Sequence, residues 1–423
     1  MLNRIGTSRC RWLAAGLAAS TAWAAETPGG PADWPQWRGP RRDAISTEVG
    51  LLKKWPEAGP PLVWTATGAG EGYSSVTISN GRLFTMGNLG DREHVLAYDV
   101  KTGRPLWSRE NGDAYQNNRG NGPRGSVTIE EDRAYCLGAN GDLSCRNVAD
   151  GTPVWQVNLL KQFGGRNTKW GLSESPLIEK DLVICNAGGP DASLVALDKR
   201  TGKTVWTSKG LSDEASYSSS LAVTIGDVRQ IIHMTHQNLV GVRAQDGLPL
   251  WRYGRVNAPT ANVATPVYHD GHVFASAAYN MGGALLKLIP DGDKTRAEEV
   301  YFTKDMQNHH GGMVLLDGYL YGFSNAILTC LEFRTGKKMW SDRSVGKGCL
   351  VFADGHLYCL SEDGVVGLVE ANPREYREVS RFKITRGRWP TWSHPVISHG
   401  RLFIRNQDTI SCYDVSAKGL TAR

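Results

Sequence analysis

The sequence predicts an all-β fold: a single eight-bladed β-propeller of four-stranded antiparallel blades, with an N-terminal strand closing the last blade. Three observations predict it. A pattern of short apolar strands recurs about every 46 residues; a tight turn followed by Trp recurs inside it; and the 423-residue chain carries 49 Gly and 14 Trp. Length alone suggests about three domains, but a repeat of this period with four strands per unit is the signature of one closed ring.

The chain opens on an address. Met1 to Arg11 is basic without an acid, Trp12 to Ala22 is apolar, and Ala22-Trp23-Ala24 is a small-x-small cleavage signal. Together they read as a secretory signal peptide over residues 1–24. The apolar run is shorter than the roughly 20 residues a bilayer core requires. The expected product is a periplasmic or secreted monomer without a transmembrane segment. It comprises an N-terminal extension over 25–58 and a propeller over 59–423.

Each blade begins with an innermost strand. Aligned six positions before its first turn, the series is Ser75, Ser126, Ser175, Ser220, Thr265, Gly312, Cys349 and His394. Seven of these eight are small, as converging strands around an axis require. A second strand follows each turn, as in Arg82-Leu83-Phe84 and His356-Leu357-Tyr358. The third ends in a turn leading to Trp: Thr102-Gly103…Trp107, Asp150-Gly151…Trp155, Thr201-Gly202…Trp206, Asp246-Gly247…Trp251 and Thr335-Gly336…Trp340. Gly supplies the positive φ of a tight hairpin, and the ring can pack between neighbouring sheets. The blades near 262–306 and 347–384 lack this turn-Trp piece and carry Val300-Tyr301-Phe302 and Ser380-Arg381-Phe382 instead. The eighth unit lacks its own outer strand, and Pro61-Leu62-Val63-Trp64-Thr65 is the spare that completes it, leaving no open edge.

Charge and motifs exclude several function classes. Removing Arg4, Arg9 and Arg11 with the leader lowers the formal charge from +6 to +3, unlike a nucleic-acid footprint. There is no G-x-S-x-G elbow, P-loop lysine motif or H-E-x-x-H. The absence of C-x-x-C and C-x-x-C-H leaves no zinc knuckle and no attached haem. The seven cysteines beyond the leader fall in three repeat slots otherwise filled by small residues, a normal place for buried free thiols. One pair offers an alternative. If Asn140-Gly141 is a two-residue turn, Cys136 stands opposite Cys145, close enough for a disulfide.

The third strand and its turn read Ala97-x-Asp99-x-x-Thr102-Gly103-x-x-x-Trp107, and again Ala196-x-Asp198-x-x-Thr201-Gly202-x-x-x-Trp206, with Cys330-x-Glu332-x-x-Thr335-Gly336-x-x-x-Trp340 a close variant. This repeat resembles that of the pyrroloquinoline quinone (PQQ) enzymes, the quinoprotein alcohol dehydrogenase-like propellers. It also resembles the repeat of the outer-membrane β-barrel assembly lipoprotein, a scaffold without a quinone. The start Trp34-Pro-Gln-Trp37-Arg-Gly-Pro40 is similar to that of exported PQQ-like proteins. The first resemblance implies PQQ with Ca²⁺ as cofactors and oxidation of alcohols or sugars. The second implies a protein partner and no catalysis. Neither supplies a metal ligand residue by residue. The chain lacks both the adjacent Cys-Cys pair of the alcohol-oxidising enzymes and a lipidation Cys after its leader.

Propellers work at one end of the axis, where loops entering the innermost strands converge. Those entries carry Tyr73, Arg124, Trp170, Glu174, Tyr217, Asn262, His309, His310, Lys347, Trp392 and His394. Polar groups with aromatic walls are what a small-molecule site looks like. In that reading His310 or His394 is the base, and Glu174 is a ligand or second base. Tyr73, Arg124, Trp170, Tyr217, Asn262, His309, Lys347 and Trp392 hold the cofactor or ligand. The alternative for the histidines is hydrogen bonding to channel-wall carbonyls. For the aromatics it is inter-blade packing. Strand alternation predicts that His309 and His310 point to opposite faces.

Overall fold

The computed structural model describes residues 32–385 and 387–420. The expected leader lies outside these residues. Eight four-stranded antiparallel sheets follow one another in chain order. Blade 1 comprises Thr77–Ser79, Arg82–Leu89, Arg92–Asp99 and Pro105–Asp113, and blade 2 Thr128–Glu130, Arg133–Leu137, Asp142–Asn147 and Pro153–Asn158. Blade 3 comprises Leu177–Glu179, Leu182–Gly189, Ala192–Asp198 and Thr204–Thr207, and blade 4 Leu221–Ile225, Val228–Met234, Leu239–Arg243 and Pro249–Tyr253. Blade 5 comprises Val267–His269, His272–Ala277, Gly282–Asp291 and Lys294–Thr303, and blade 6 Asn308–Leu316, Tyr319–Ser324, Ile327–Glu332 and Lys338–Asp342. Blade 7 comprises Gly348–Ala353, His356–Ser361, Val365–Glu370 and Glu378–Lys383. Blade 8 joins Val396–Ser398, Arg401–Asn406 and Thr409–Asp414 to the N-terminal strand Leu62–Ala66, which pairs antiparallel with the last of them. The ring closes as the sequence predicts.

Tryptophans fasten the blades to one another. The indole Nε1–H of Trp64, Trp107, Trp155, Trp206 and Trp340 donates to a backbone carbonyl of the following blade, at Val100, Val148, Lys199, Ala244 and Asn372. Four of these rings also cover the turn glycine of that blade. A Cβ on Gly103, Gly151, Gly202 or Gly247 would lie 2.4–2.7 Å from Trp64, Trp107, Trp155 or Trp206. Glycine is therefore required there by contact as well as by its positive φ. The degenerate blades keep the device with other rings: Tyr301 covers Gly336 and donates to the Phe333 carbonyl, and Phe382 covers Gly59. Trp251 departs from the pattern. Blade 5 continues its third and fourth strands to Asp291 and Lys294 without a Thr-Gly-Trp turn. Trp251 covers its own blade's Gly241 and donates to Gln230.

The cysteine expectation splits. All seven described cysteines are free and buried, as the small-slot reading holds. The Cys136–Cys145 bridge is corrected. Tyr135 pairs with Cys145 and Cys136 with Ser144. The turn is a residue longer than expected, with Gly138 and Asp142 closing it around Ala139-Asn140-Gly141. A one-residue change of register moves a side chain to the other face of the sheet, so the two sulfurs point apart.

Residues 33–55 are built into the core. Trp34, Leu51, Leu52 and Trp55 belong to the largest hydrophobic cluster, and Trp55 packs on Tyr358 and Phe382.

Candidate functional site

Each blade is a separate sheet with no ladder between neighbouring innermost strands, and hydroxyl groups bridge them. Ser75, Ser175 and Ser219 accept from the backbone amides of His394, Ser126 and Ser175. Thr77, Thr128 and Ser218 donate to carbonyls of Val127, Pro176 and Ala264. In the slot, Ser75 and Ser175 thus add a hydrogen bond between blades to their small size.

The axial channel is closed from the side of the turns that follow these strands. Residues 33–46 cross it and touch all eight blades. Trp34 exchanges backbone hydrogen bonds with Ile78, and the Pro35 carbonyl accepts from Ile129. The Arg42 guanidinium donates to carbonyls of Ser175, Pro176 and Ser220. Trp37 donates to Thr265 Oγ1 at 2.9 Å, and Arg38 donates to the Met313 carbonyl. Phe352 pairs with Ala44 and Ser46, and Asp33 pairs with His399. Trp37 spans the axis, since its ring also packs 4.5 Å from His394. Positive φ at Arg38, Gly39, Arg42 and Ala44 gives the coil its tightness. The sequence reading missed this plug, because its contacts are non-local and nothing in its spacing announces them.

Two of the three expected catalytic residues lie at the level of the plug. Glu174 is buried and accepts from the Asn186 amide. Burial pushes its carboxyl up to about 8, against the opposing pull of that amide and of Arg42. His394 faces Trp37 and hydrogen-bonds the His310 carbonyl at 2.8 Å. Burial lowers its imidazole to about 3. His394 thus bonds a backbone carbonyl, as in the alternative for the histidines, while Glu174 bonds a backbone amide. Asn262 is likewise engaged internally: its amide accepts from Ala258 and donates to the Thr235 and His236 carbonyls.

Above that floor, the remaining candidates gather at the entry face as two linked groups. In the first, Trp392 packs 4.6 Å from Tyr73, and His310 lies 5.8 Å from Trp392. Glu362 joins them: its Oε1 accepts from Trp392 Nε1 at 2.7 Å and lies 3.1 Å from Lys347 Nζ and 3.7 Å from His310 Nε2. In the second, Trp170 packs 5.7 Å from Tyr217, whose hydroxyl accepts from the Trp170 amide. Arg124 connects the groups. Its guanidinium lies over the rings of Tyr73 and Tyr115, at 5.4 and 5.0 Å, and donates to the Gly120 and Gly122 carbonyls. The segment 110–124 thus contributes Tyr115 to the mouth. The sequence reading did not single out Glu362, which follows a second strand and belongs to no recurring slot.

His309 and His310 meet, contrary to alternation. Asn308 pairs with Ser324 and Met313 with Gly322. Four residues therefore stand opposite one, a bulge that releases both side chains from the pleat. Gly312, at φ +67°, allows it, and any Cβ there would strike Arg38. The two rings are 5.0 Å apart with Nδ1 atoms at 3.2 Å. His309 Nε2 is 2.9 Å from the Tyr279 hydroxyl. Burial is the main cause that lowers both imidazoles, His309 to about 4 and His310 well below the ordinary range, and Lys347 adds to it.

Among the described residues, no three His, Cys, Asp or Glu groups converge as a metal site. No described helix is long and apolar enough to cross a membrane.

A family model described as Outer membrane protein assembly factor BamB matches residues 41–169 and 124–342. A curated relative of that name from Shewanella oneidensis is 26% identical over 209 residues, 49% of this chain and 49% of its own length; the match thus spans about half of that relative. Among solved structures, BamB from Moraxella catarrhalis superposes with TM-score 0.54 at 16% identity, over 78% of this chain and 93% of that one. The quinohemoprotein alcohol dehydrogenase from Comamonas testosteroni gives 0.63 at 13%, over 91% and 81%. A europium-containing methanol dehydrogenase gives 0.64 at 11%, over 89% and 90%. At these identities the structural likeness establishes the fold alone.

Proposed function

The chain belongs to the PQQ-like propeller family whose model is described as Outer membrane protein assembly factor BamB, and from that premise we propose an exported propeller that binds a hydroxylated small molecule, an alcohol or a sugar, at its entry face, with oxidation of the quinoprotein type as its chemistry. One observation supports this most: residues 33–46 cross the opposite end of the axis, while the entry face gathers aromatic and charged side chains. Trp392 offers a flat face beside the Lys347–Glu362 pair. An aromatic surface flanked by a carboxylate and an ammonium group suits a polyhydroxylated ligand, whose C–H face and hydroxyls need both.

The residues present suit a flat, carboxylate-bearing quinone in part. Trp392 and Trp170 provide faces, while Arg124 and Lys347 provide positive charge. Bound there, the quinone would accept two electrons from the substrate. Calcium wants six to eight oxygen ligands, and the described residues assemble no such carboxylate set; no step is assigned to it. Tyr73, Trp392, Trp170 and Tyr217 orient the ligand, and His310 is the nearest of the three catalytic candidates to the entry face. Glu174 and His394 hold the floor.

A second reading, a protein-interaction scaffold, is favoured by the 26% identical relative named as an assembly factor. Adding PQQ and calcium to the purified chain, then following absorbance and dye reduction with alcohols and sugars, separates the two. Saturable binding with turnover supports the first reading. Neither binding nor turnover leaves the scaffold.

A further inference from the structure

We infer that Glu362, His310, His309 and Tyr279 form a proton relay that leads from Glu362, beside Trp392 at the entry face, out to Tyr279 at the solvent. The order follows from distance. Glu362 Oε1 stands 3.7 Å from His310 Nε2, His310 Nδ1 stands 3.2 Å from His309 Nδ1, and His309 Nε2 stands 2.9 Å from Tyr279 Oη. His309 is therefore engaged through both ring nitrogens, and His310 through Nδ1, with its Nε2 turned toward Glu362. Tyr279 is the more exposed end, and Glu362 at the other end is partly buried. Tyr279 is 42% exposed. His310 Nε2 is buried and has no hydrogen-bond partner, with Glu362 its closest acceptor.

An Nδ1–Nδ1 contact between neutral imidazoles holds one proton, so the two tautomers are complementary. If His310 carries it, His309 Nε2–H donates to the Tyr279 oxygen, and His310 Nε2 is a bare acceptor facing Glu362. If His309 carries it, the Tyr279 hydroxyl donates to His309, and His310 Nε2–H points at Glu362. Passage between the states moves one proton outward. A carboxyl proton on Glu362 goes to His310 Nε2, the His310 Nδ1 proton goes to His309 Nδ1, the His309 Nε2 proton goes to Tyr279 Oη, and the phenol releases its own to water. Both imidazoles and the phenol stay neutral, and Glu362 is left as a carboxylate beside Lys347. Burial and the facing Lys347 and His394 keep the imidazoles neutral rather than cationic, which suits transfer by tautomer exchange. Glu362, held by Lys347 and Trp392, is then the proton acceptor of the entry face. His310, His309 and Tyr279 are relay residues.

What delivers the proton rests on the ligand reading above, but the relay is testable without any ligand. In the full protein labelled with ¹⁵N-histidine, side-chain spectra report the tautomer of each ring. The expected result is complementary Nδ1 protonation of His309 and His310, with Tyr279→Phe and Glu362→Gln each shifting the tautomer populations of both rings. Assignment uses His309→Gln. Two outcomes overturn the relay: both rings carrying the same tautomer, or Tyr279→Phe altering only His309 while Glu362→Gln alters only His310.

Discussion

Trp107 and Gly151 meet so closely that a Cβ on Gly151 would lie 2.6 Å from the indole, while the Trp107 Nε1–H reaches the Val148 carbonyl at 3.1 Å. One ring thus fastens blade 1 to blade 2 by contact and by hydrogen bond. Gly151→Ala would overpack that contact and strain a φ of +74°, for a combined cost of about 2–4 kcal/mol. Trp107→Ala would cost about 3–5 kcal/mol. Urea unfolding of both variants checks this; wild-type midpoints would refute the fastening.

Arg42 is the plug's main anchor, donating to three carbonyls of blades 3 and 4. Arg42→Met keeps the bulk and removes the guanidinium donors to the Ser175 and Ser220 carbonyls, while Pro176 keeps Thr128, at about 2–4 kcal/mol. Limited proteolysis of the variant should cut near residues 33–46 before it cuts within any blade. Cutting distributed evenly over the blades would contradict the anchoring role.

Stability should peak near pH 6.5. Buried His233 and His394 are lowered by burial to about 3, and His309 to about 4. The unfolded chain therefore takes up protons there first, and stability is lost as pH falls below about 6.5. Glu174 and Glu93 are raised by burial, to about 8 and about 7. They stay protonated in the fold while the unfolded chain ionises, so their contribution falls as pH rises from the ordinary carboxylate range to those values. Above pH 7 the remaining downward slope is mainly Glu174's, and it fades as the pH passes about 8. Glu174→Gln should flatten the unfolding free energy between pH 7 and 8; an unchanged slope would sink the assignment.

All seven described cysteines should be silent to a thiol reagent in the native protein and react on unfolding, since each is buried and unpaired. Mass spectrometry under non-reducing conditions should find no Cys136–Cys145 bridge.

The ring was legible because it is periodic. Ser75 to His394, and the turn glycines with their Trp partners, repeat often enough to be read without contacts. The plug was not legible, because Trp37 meets Thr265 and His394 across more than 200 positions of chain and has no counterpart in other blades. The mouth was legible in part. Tyr73, Trp392, Arg124, Lys347 and the His309–His310 pair stand in entry loops, where packing does not demand such groups. Glu362 and Tyr279 follow second strands, outside the positions the repeat marks. The bulge at 309–312 defeated the alternation rule, since only the register shows it. The Cys136–Cys145 error came from a turn one residue longer than its Asn-Gly suggested.

The central claim is an entry face that takes its ligand against Trp392. Equilibrium titration with PQQ, with and without calcium and with an alcohol and sugar panel, tests it most directly when wild type and Trp392→Ala are compared. The account predicts saturable binding to wild type and an affinity about tenfold lower in the variant, the loss expected for one stacked aromatic. No binding to wild type, or equal binding to both, would contradict it.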